Sequence, residues 1–283
     1  MLYSISMKHC GSSLHKSVLL LSLPLLTAAA FAQTPALDQL PILPGAVTLE
    51  IPAPVAAQAE TYPEFEQDRK PAKQSSNSGG VRVLSGVRFE RDPQADAYAW
   101  RDLSLEDSKL DEAYWGFRSG SVGHNFLMFT FKDGAKSDGR TVRGLVFEVL
   151  PWKKKGEKFD PFIAGMTGKY PLVWNLVSWD GFLESSIVKS GLYVDVYPLK
   201  LSREDKLRLL DEAVKESTRD YSGEKYHTFL NSCSTNALKV FTRATGHHLL
   251  VGKVMPSVVV KHLKLRGFLG EGRHYDVSNW QDR

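Results

Sequence analysis

The sequence predicts an α+β domain in which an antiparallel sheet is packed with helices. Two apolar, strand-like runs, 123–131 and 141–150, are joined by a segment rich in turn residues and predict a β-hairpin. Farther along the chain, a capping sequence at 202–205 opens an amphipathic helix, and the polar loop 226–236 leads into a second helix. Strands followed by helices indicate segregated layers rather than alternating β-α-β units.

Composition supports one folded domain over residues 81–283. Hydrophobic residues make up 42% of the chain and aromatic residues 11%, which is enough to bury a core. Removing residues 1–32 lowers the formal net charge from +4 to +2. A charge this small, without a basic-aromatic motif, predicts no nucleic-acid partner.

Residues 1–32 read as a cleaved signal peptide, which predicts a periplasmic or secreted protein. An apolar stretch follows Lys16 and closes in Ala30-Phe31-Ala32, so cleavage after Ala32 is expected. The alternative is an uncleaved anchor, but the stretch is interrupted by Pro24 and is shorter than the roughly 20 residues that span a bilayer. No apolar run of that length follows residue 32.

Residues 33–80 predict a flexible linker or an irregular arm. They contain seven of the 14 prolines and end in a Ser/Asn/Gly tract. The short apolar piece 46–51 could instead dock as an edge strand.

Other elements follow from alternation and capping. Strands are predicted at 81–89, 114–120, 170–177 and 192–199, and short helices after Ser104 and over 179–190. A helix from Ser202 carries Leu207, Leu210 and Val214 on one face, and a last helix covers 256–266.

The hairpin is apolar on both faces, so it is expected in the middle of the sheet. If its turn centres near Lys136, Glu148 lies opposite His124. Opposed side chains are close enough for a carboxylate to orient an imidazole ring. Asp195 is an alternative for that role if its strand lies adjacent.

Cys233 is the one cysteine left after signal-peptide removal, because Cys10 lies within 1–32. A lone cysteine in an exported protein is a buried inert residue, an intermolecular disulfide partner or a nucleophile. Cys233 lies where a polar loop becomes a helix, and unpaired N–H groups at a helix start favour the thiolate. A nucleophilic thiol needs a base, and His124, at the mouth of an apolar strand, is the candidate; simple exposure at a strand end is the alternative.

The sequence contains no metal-ligand spacing and no phosphate-binding glycine pattern, so no cofactor is predicted. The run Trp152-Lys153-Lys154-Lys155 could contact an anionic membrane surface, although a solvated loop explains it as well.

Taken together, these motifs resemble the Lnb N-terminal periplasmic domain family over roughly residues 110–265. The resemblance rests on a Gly-His strand start, a hairpin, a capped helix and the stretch Tyr226-x-x-x-x-Asn231-x-Cys233-Ser234-Thr235-Asn236. The family usually has Asn directly before Cys, whereas Ser232 intervenes here. That family is similar to circularly permuted papain-like thiol enzymes, including NlpC-like amidases and lecithin:retinol acyltransferase.

The resemblance implies a permuted papain-like core with Cys233 as nucleophile and His124 as base, and it brings Asn231 forward as a further site residue. The implied activity is a hydrolase or acyltransferase that acts on an amide or ester through a thioester, with a peptide, peptidoglycan or lipid acyl substrate. The alternative is a catalytically silent binding or structural module on the same fold.

Overall fold

The computed structural model describes residues 64–95, 97–249 and 255–281. The predicted signal peptide, its cleavage site and the apolar piece 46–51 lie outside these residues. No helix among the described residues combines the length and apolar character needed to cross a membrane.

A nine-stranded sheet forms the centre of the described domain. Its strands are β1 (Lys73–Ser78), β2 (Val81–Asp92), β3 (Ala97–Glu106), β4 (Leu110–Arg118), β5 (His124–Ser137), β6 (Arg140–Pro151), β7 (Leu172–Ser178), β8 (Val194–Pro198) and β9 (Arg273–Tyr275). The main order is β1-β2-β7-β6-β5-β4-β8-β9, and β3 pairs with β2 and with β5. The β5–β6 hairpin therefore lies in the middle of the sheet, as its two apolar faces predicted.

The sheet is mixed rather than antiparallel throughout, which corrects the predicted fold class in part. β2 and β7 run parallel, with Val87 beside Leu176. These strands are far apart in sequence, so β7 can pair with β2 in either direction. The local pattern of residues does not specify whether the pair is parallel or antiparallel. The α+β class itself is confirmed.

Among the described residues, five helices accompany the sheet. They are α1 (Ile163–Met166), α2 (Trp179–Leu183), α3 (Arg203–Thr218), α4 (Cys233–Thr245) and α5 (Pro256–Leu265), and α2 continues into a π-helical turn over Glu184–Lys189. The predicted starts of α3 and α4 and the predicted last helix are confirmed. Ser202 accepts the Asp205 N–H at the start of α3, and Gly246 ends α4 with a φ of 71°.

The helix predicted after Ser104 is wrong, because this segment belongs to β3. Leu103 and Leu105 are fully buried and alternate with the half-buried Ser104 and Glu106, which is the period of a strand. A 3₁₀ turn at Asp107–Lys109 then leads into β4. The burial of these two leucines stabilises the strand. The capping sequence alone does not stabilise a helix, because no apolar helical face follows it.

The predicted boundary at residue 81 also falls inside the folded domain. β1 pairs along β2, Ala72 is buried, and Arg69 donates a hydrogen bond to the carbonyl of Pro151. Residues 64–80 are therefore part of the sheet and its covering rather than a linker. The prolines of this segment indicate that it is not helical, but they do not prevent it from packing against the sheet.

Trp152, the aromatic residue of the run 152–155, is buried. Its ring stacks on Phe65 with centroids 4.8 Å apart, and its indole N–H donates to the Glu66 carbonyl. Lys154 and Lys155 are exposed, as expected of a solvated loop.

Candidate active site

Cys233 is the first residue of α4, and the chain immediately before it is held by a capping box. The Ser232 N–H donates to the Thr235 hydroxyl at 2.8 Å, and the Asn236 N–H donates to the Ser232 carbonyl. The helix thus begins at the cysteine itself. Its thiol lies in the positive field of the helix start and is 4% exposed.

His124 is the first residue of β5, and its neighbours hold it against α4. Gly123 turns the chain into the strand with a φ of 71°, and a Cβ there would lie 2.7 Å from the Phe117 ring, so only glycine fits. The Asn125 side chain donates to the Ser234 hydroxyl at 3.0 Å and to the Pro256 carbonyl at 3.2 Å. These bonds tie β5 to α4 and α5 beside the cysteine.

The Cys233 thiol and the His124 imidazole lie close enough that each changes the other's titration. Burial raises the pKa of Cys233, but the charge and hydrogen bond of His124, with an N–H from Asn125 and the Ser234 hydroxyl, bring it down to about 7. Burial lowers the pKa of His124, and Cys233 and Glu148 together raise it above its usual value. The pair thus favours thiolate and imidazolium over two neutral groups.

Glu148, on β6, lies beside His124 as the hairpin predicted, but the register differs. Its Oε2 is 3.2 Å from Nε2 of His124, and its Oε1 accepts a hydrogen bond from Asn175 at 3.0 Å. Leu127 pairs with Phe147, so Glu148 is a diagonal neighbour of His124 rather than its opposite. The bulge between Thr130 and Ala135 moves the register, and the long carboxylate side chain still reaches the ring.

Arg118 adds a partly buried positive charge to this group. It is the last residue of β4, pairs with His124 across the ladder, and has Nη1 4.0 Å from Oε2 of Glu148. Burial raises the pKa of Glu148, but the hydrogen bond with His124 and the charge of Arg118 hold it well below its ordinary range. Glu148 is therefore a carboxylate even though it is 1% exposed.

Tyr226 is a site residue to which the sequence analysis gave no role. It is buried, and its hydroxyl lies beside the thiol and the backbone N–H of Cys233. Burial, together with the negative charge of Cys233, raises its pKa well above the ordinary value, so the phenol stays protonated. The signal was present in the sequence, because Tyr226 begins the stretch that contains Cys233.

A family comparison covers all of these residues. The match to the Lnb N-terminal periplasmic domain family spans residues 97–264, more than half of the chain. The chain belongs to this family. No curated protein and no solved structure matches the chain. The Lnb match begins at the first residue of β3 and ends within α5, so β1 and β2 lie outside it.

Within the Lnb domain, Asn231 lies near Cys233 in sequence, but its side chain stabilises the loop that leads into α4. Its side chain donates to the Lys225 carbonyl at 3.0 Å and accepts from the Asn236 amide at 2.9 Å. Both bonds stay within the segment that leads into α4. The geometry is that of a residue that positions the Cys233 turn.

His227 and Asp195 have other partners. His227 accepts the N–H groups of Phe229 and Leu230 within its own turn. Asp195 is bonded to His274 at 2.7 Å, and β4 lies between its strand and β5. Asp195 is therefore wrong as an alternative to Glu148. No cluster of three or more possible metal ligands occurs among the described residues.

A cleft of about 360 Å³ opens at His124 and Tyr226. Its walls include the loop between β4 and β5, the end of β6 and the side chains of Phe159 and Leu192. A larger cleft of about 570 Å³ lies between β1 and the C-terminal end of α3, away from this chemistry. The smaller cleft is the one that reaches His124.

Proposed function

We propose that this Lnb domain is an exported, periplasmic cysteine hydrolase or acyltransferase that acts on an amide or ester through a thioester. The observation that carries the proposal is the contact between a helix-start thiol and a histidine that itself contacts a buried carboxylate. Nucleophile, base and orienting group in this order are the arrangement that thiol catalysis requires. The family's periplasmic description supports the location, together with the predicted signal peptide.

The proposed first step is attack by the Cys233 thiolate on the carbonyl carbon. A C–S bond forms and the carbonyl electron pair moves to oxygen, giving an oxyanion. Collapse of this intermediate breaks the C–N or C–O bond, and the leaving group takes the proton that His124 carries. The product is an acyl thioester on Cys233, and both charged groups of the initial pair are then neutral.

In the second step His124 removes a proton from the acceptor as it attacks the thioester. Water releases an acid and makes the protein a hydrolase, whereas an amine forms a new amide and makes it an acyltransferase. The C–S bond breaks, and the proton held by His124 restores the ion pair. Peptides, peptidoglycan stems and acyl lipids all contain an amide or ester bond, which is what this reaction requires.

Stabilisation of the oxyanion is assigned to groups already beside the sulfur. The protonated Tyr226 hydroxyl is a donor next to Cys233, and the first N–H groups of α4 point the same way. Because the hydroxyl is buried and fixed, it needs little reorganisation during reaction. Glu148 holds the imidazole and stabilises its positive charge.

The experiment that tests this proposal is the pH dependence of Cys233 alkylation by iodoacetamide in the folded protein. In the unmodified chain we expect half-maximal reactivity near pH 7, the pKa that the site gives this thiol. His124→Ala removes the imidazolium, so the midpoint should move upward. His274→Ala is the matched control, because His274 is bonded to Asp195 outside the site, and its midpoint should not move.

The alternative outcome identifies a different kind of protein. If Cys233 reacts only after the chain is unfolded, it is a core residue and the domain is a silent binding or structural module. If Cys233 is reactive, an activated ester should leave an acyl group on it that Cys233→Ser lacks. Loss of that adduct in water alone indicates a hydrolase, and loss only with added amine indicates an acyltransferase.

A further inference from the structure

The charged side chains that line the cleft at His124 are all basic. Apart from His124, three of the described side chains that line it are cationic, Arg69, Arg118 and Lys153, and none is acidic. The remaining walls are apolar side chains or the small polar residues of the β4–β5 loop. A water-filled cleft with low-dielectric walls and one sign of charge concentrates ligands of the opposite sign.

The acidic partners of these cations lie behind the wall rather than in it. Glu66 is 3.3 Å from Arg69 and 2.8 Å from Lys153, and Glu148 is 4.0 Å from Arg118. Asp68 is a further partner, 3.2 Å from Arg69, and like Glu66 and Glu148 it does not line the cleft. Each ion pair therefore presents its positive end to the cleft.

Arg118 is the cation nearest the reacting groups and the least well partnered. Its Nε is buried and has no hydrogen-bond partner among the described residues. Glu148, the carboxylate nearest to it, already contacts His124 and accepts from Asn175. A guanidinium stays charged in a protein, and its paired N–H groups suit carboxylate and phosphate oxygens.

We propose that the cleft binds its acyl substrate through an anionic group, a carboxylate or a phosphate, held by Arg118 beside the carbonyl that Cys233 attacks. This inference rests on the proposed function and adds the substrate class to it. Arg69 and Lys153 extend the same positive wall toward the outer part of the cleft. A neutral acyl compound of the same size binds more weakly, because it leaves the Arg118 N–H groups unpaired.

Two alkylating reagents of nearly equal size test the proposal. Iodoacetate carries a carboxylate and iodoacetamide does not, so the ratio of their rates at Cys233 reports attraction of an anion. Measured on the plateau of each pH profile, the ratio is independent of thiolate content. We expect a ratio roughly fivefold or more above that of a free thiol, and a fall toward that reference in Arg118→Gln and at high salt.

Matched variants separate charge from structure. Arg118→Lys keeps the charge and should keep most of the ratio, even though it loses the planar fork. Arg140→Gln removes a charge at the tip of the β5–β6 hairpin, at the opposite end from His124, and should leave the ratio unchanged. An unchanged ratio in a folded Arg118→Gln protein overturns the proposal.

A second readout does not depend on thiol reactivity. In Cys233→Ser, succinate or inorganic phosphate at constant ionic strength should raise Tm, and Arg118→Gln in that background should abolish the rise. A response to succinate alone indicates a carboxylate substrate, and a response to phosphate alone indicates a phosphorylated one. No response to either anion overturns the anionic substrate, whereas an inert Cys233 with a retained response overturns only the proposed catalysis.

Discussion

At the scale of single residues, the site is a chain of alternating charges. The thiolate of Cys233, the imidazolium of His124, the carboxylate of Glu148 and the guanidinium of Arg118 follow one another, each beside its opposite. Cys233, His124 and Glu148 are buried and Arg118 is partly buried, so water screens these charges less than it screens surface charges. Removing one charge leaves its neighbour without compensation, and the effect should reach the thiol.

Glu148→Gln tests this coupling. The amide keeps the size of the side chain but no longer stabilises the imidazolium, so the pKa of His124 should fall and that of Cys233 should rise. We expect alkylation at pH 7 to slow roughly tenfold or more, because a thiol with an ordinary pKa has little thiolate there. Glu90→Gln, which removes an exposed carboxylate from β2, should not change the rate.

The same substitution has a signature in acid. The pKa of Glu148 is held below its ordinary value, so its contribution to stability is present above the ordinary carboxyl pKa and is lost as the pH falls toward the folded pKa. The difference in unfolding free energy between the unmodified chain and Glu148→Gln should therefore shrink at low pH. A difference that does not depend on pH would contradict the charge assignment.

At the scale of elements, α3 and α4 form the layer that carries Cys233. Leu210 and Val214 of α3 and Phe241 of α4 are buried in one cluster. Near the C-terminal end of α3, Glu216 forms an ion pair with Arg243 of α4. It also accepts hydrogen bonds from Arg219 at 3.0 Å and from Tyr221 at 2.8 Å. A nearly buried carboxylate with three donors is a stronger connection than a surface ion pair.

Glu216→Gln should destabilise the fold by about 1–3 kcal/mol in denaturant unfolding, because charged hydrogen bonds are lost. Burial raises the pKa of Glu216, but Arg219, Arg243 and Tyr221 lower it below the ordinary value. The loss of stability in Glu216→Gln should therefore be full at pH values above the ordinary carboxyl pKa. It should decrease as the pH falls toward the lowered pKa of Glu216 in the folded protein.

The control lies on the same helix. Glu204 pairs with Arg208 but is largely exposed, so Glu204→Gln should cost less than about 0.5 kcal/mol. Equal costs for Glu216→Gln and Glu204→Gln would show that the α3–α4 connection does not depend on charge.

At the scale of the described domain, residues 64–80 belong to the sheet even though the family match begins at residue 97. β1 covers the edge of β2, and Phe65 covers Trp152. Arg69 bonds to the end of β6 and lines the cleft. The segment before the family match thus covers an edge strand and contributes to the candidate site.

A variant that begins at Glu64 should keep the unfolding free energy of these contacts, and one that begins at Val81 should lose at least about 2 kcal/mol through exposure of apolar surface. The two share the removal of residues 1–63, so their difference measures residues 64–80 alone. Urea unfolding followed by tryptophan fluorescence gives the comparison, because Trp152 loses its cover. Equal midpoints would mean that this segment is a dispensable arm.

Much of the site could be predicted from local sequence. A cysteine after Asn and Ser at a helix start, a histidine after the glycine that opens a strand, and two capped helices depend on neighbouring residues alone. Glu148 was placed near His124 because a hairpin relates residues through one turn. The register was wrong by two residues, because the turn lies between Ser137 and Arg140 rather than near Lys136, and the bulge between Thr130 and Ala135 offsets only part of that difference.

The sequence by itself determined the α+β class, the central hairpin and the helices α3, α4 and α5. These features depend on period, caps and turns, which act over a few residues. The tertiary structure decided the parallel β2–β7 pair, the place of β1, the burial of Trp152 and the positions of Arg118 and Tyr226 around the thiol. Their positions depend on contacts between segments distant in sequence, and only packing of the whole domain determines such contacts.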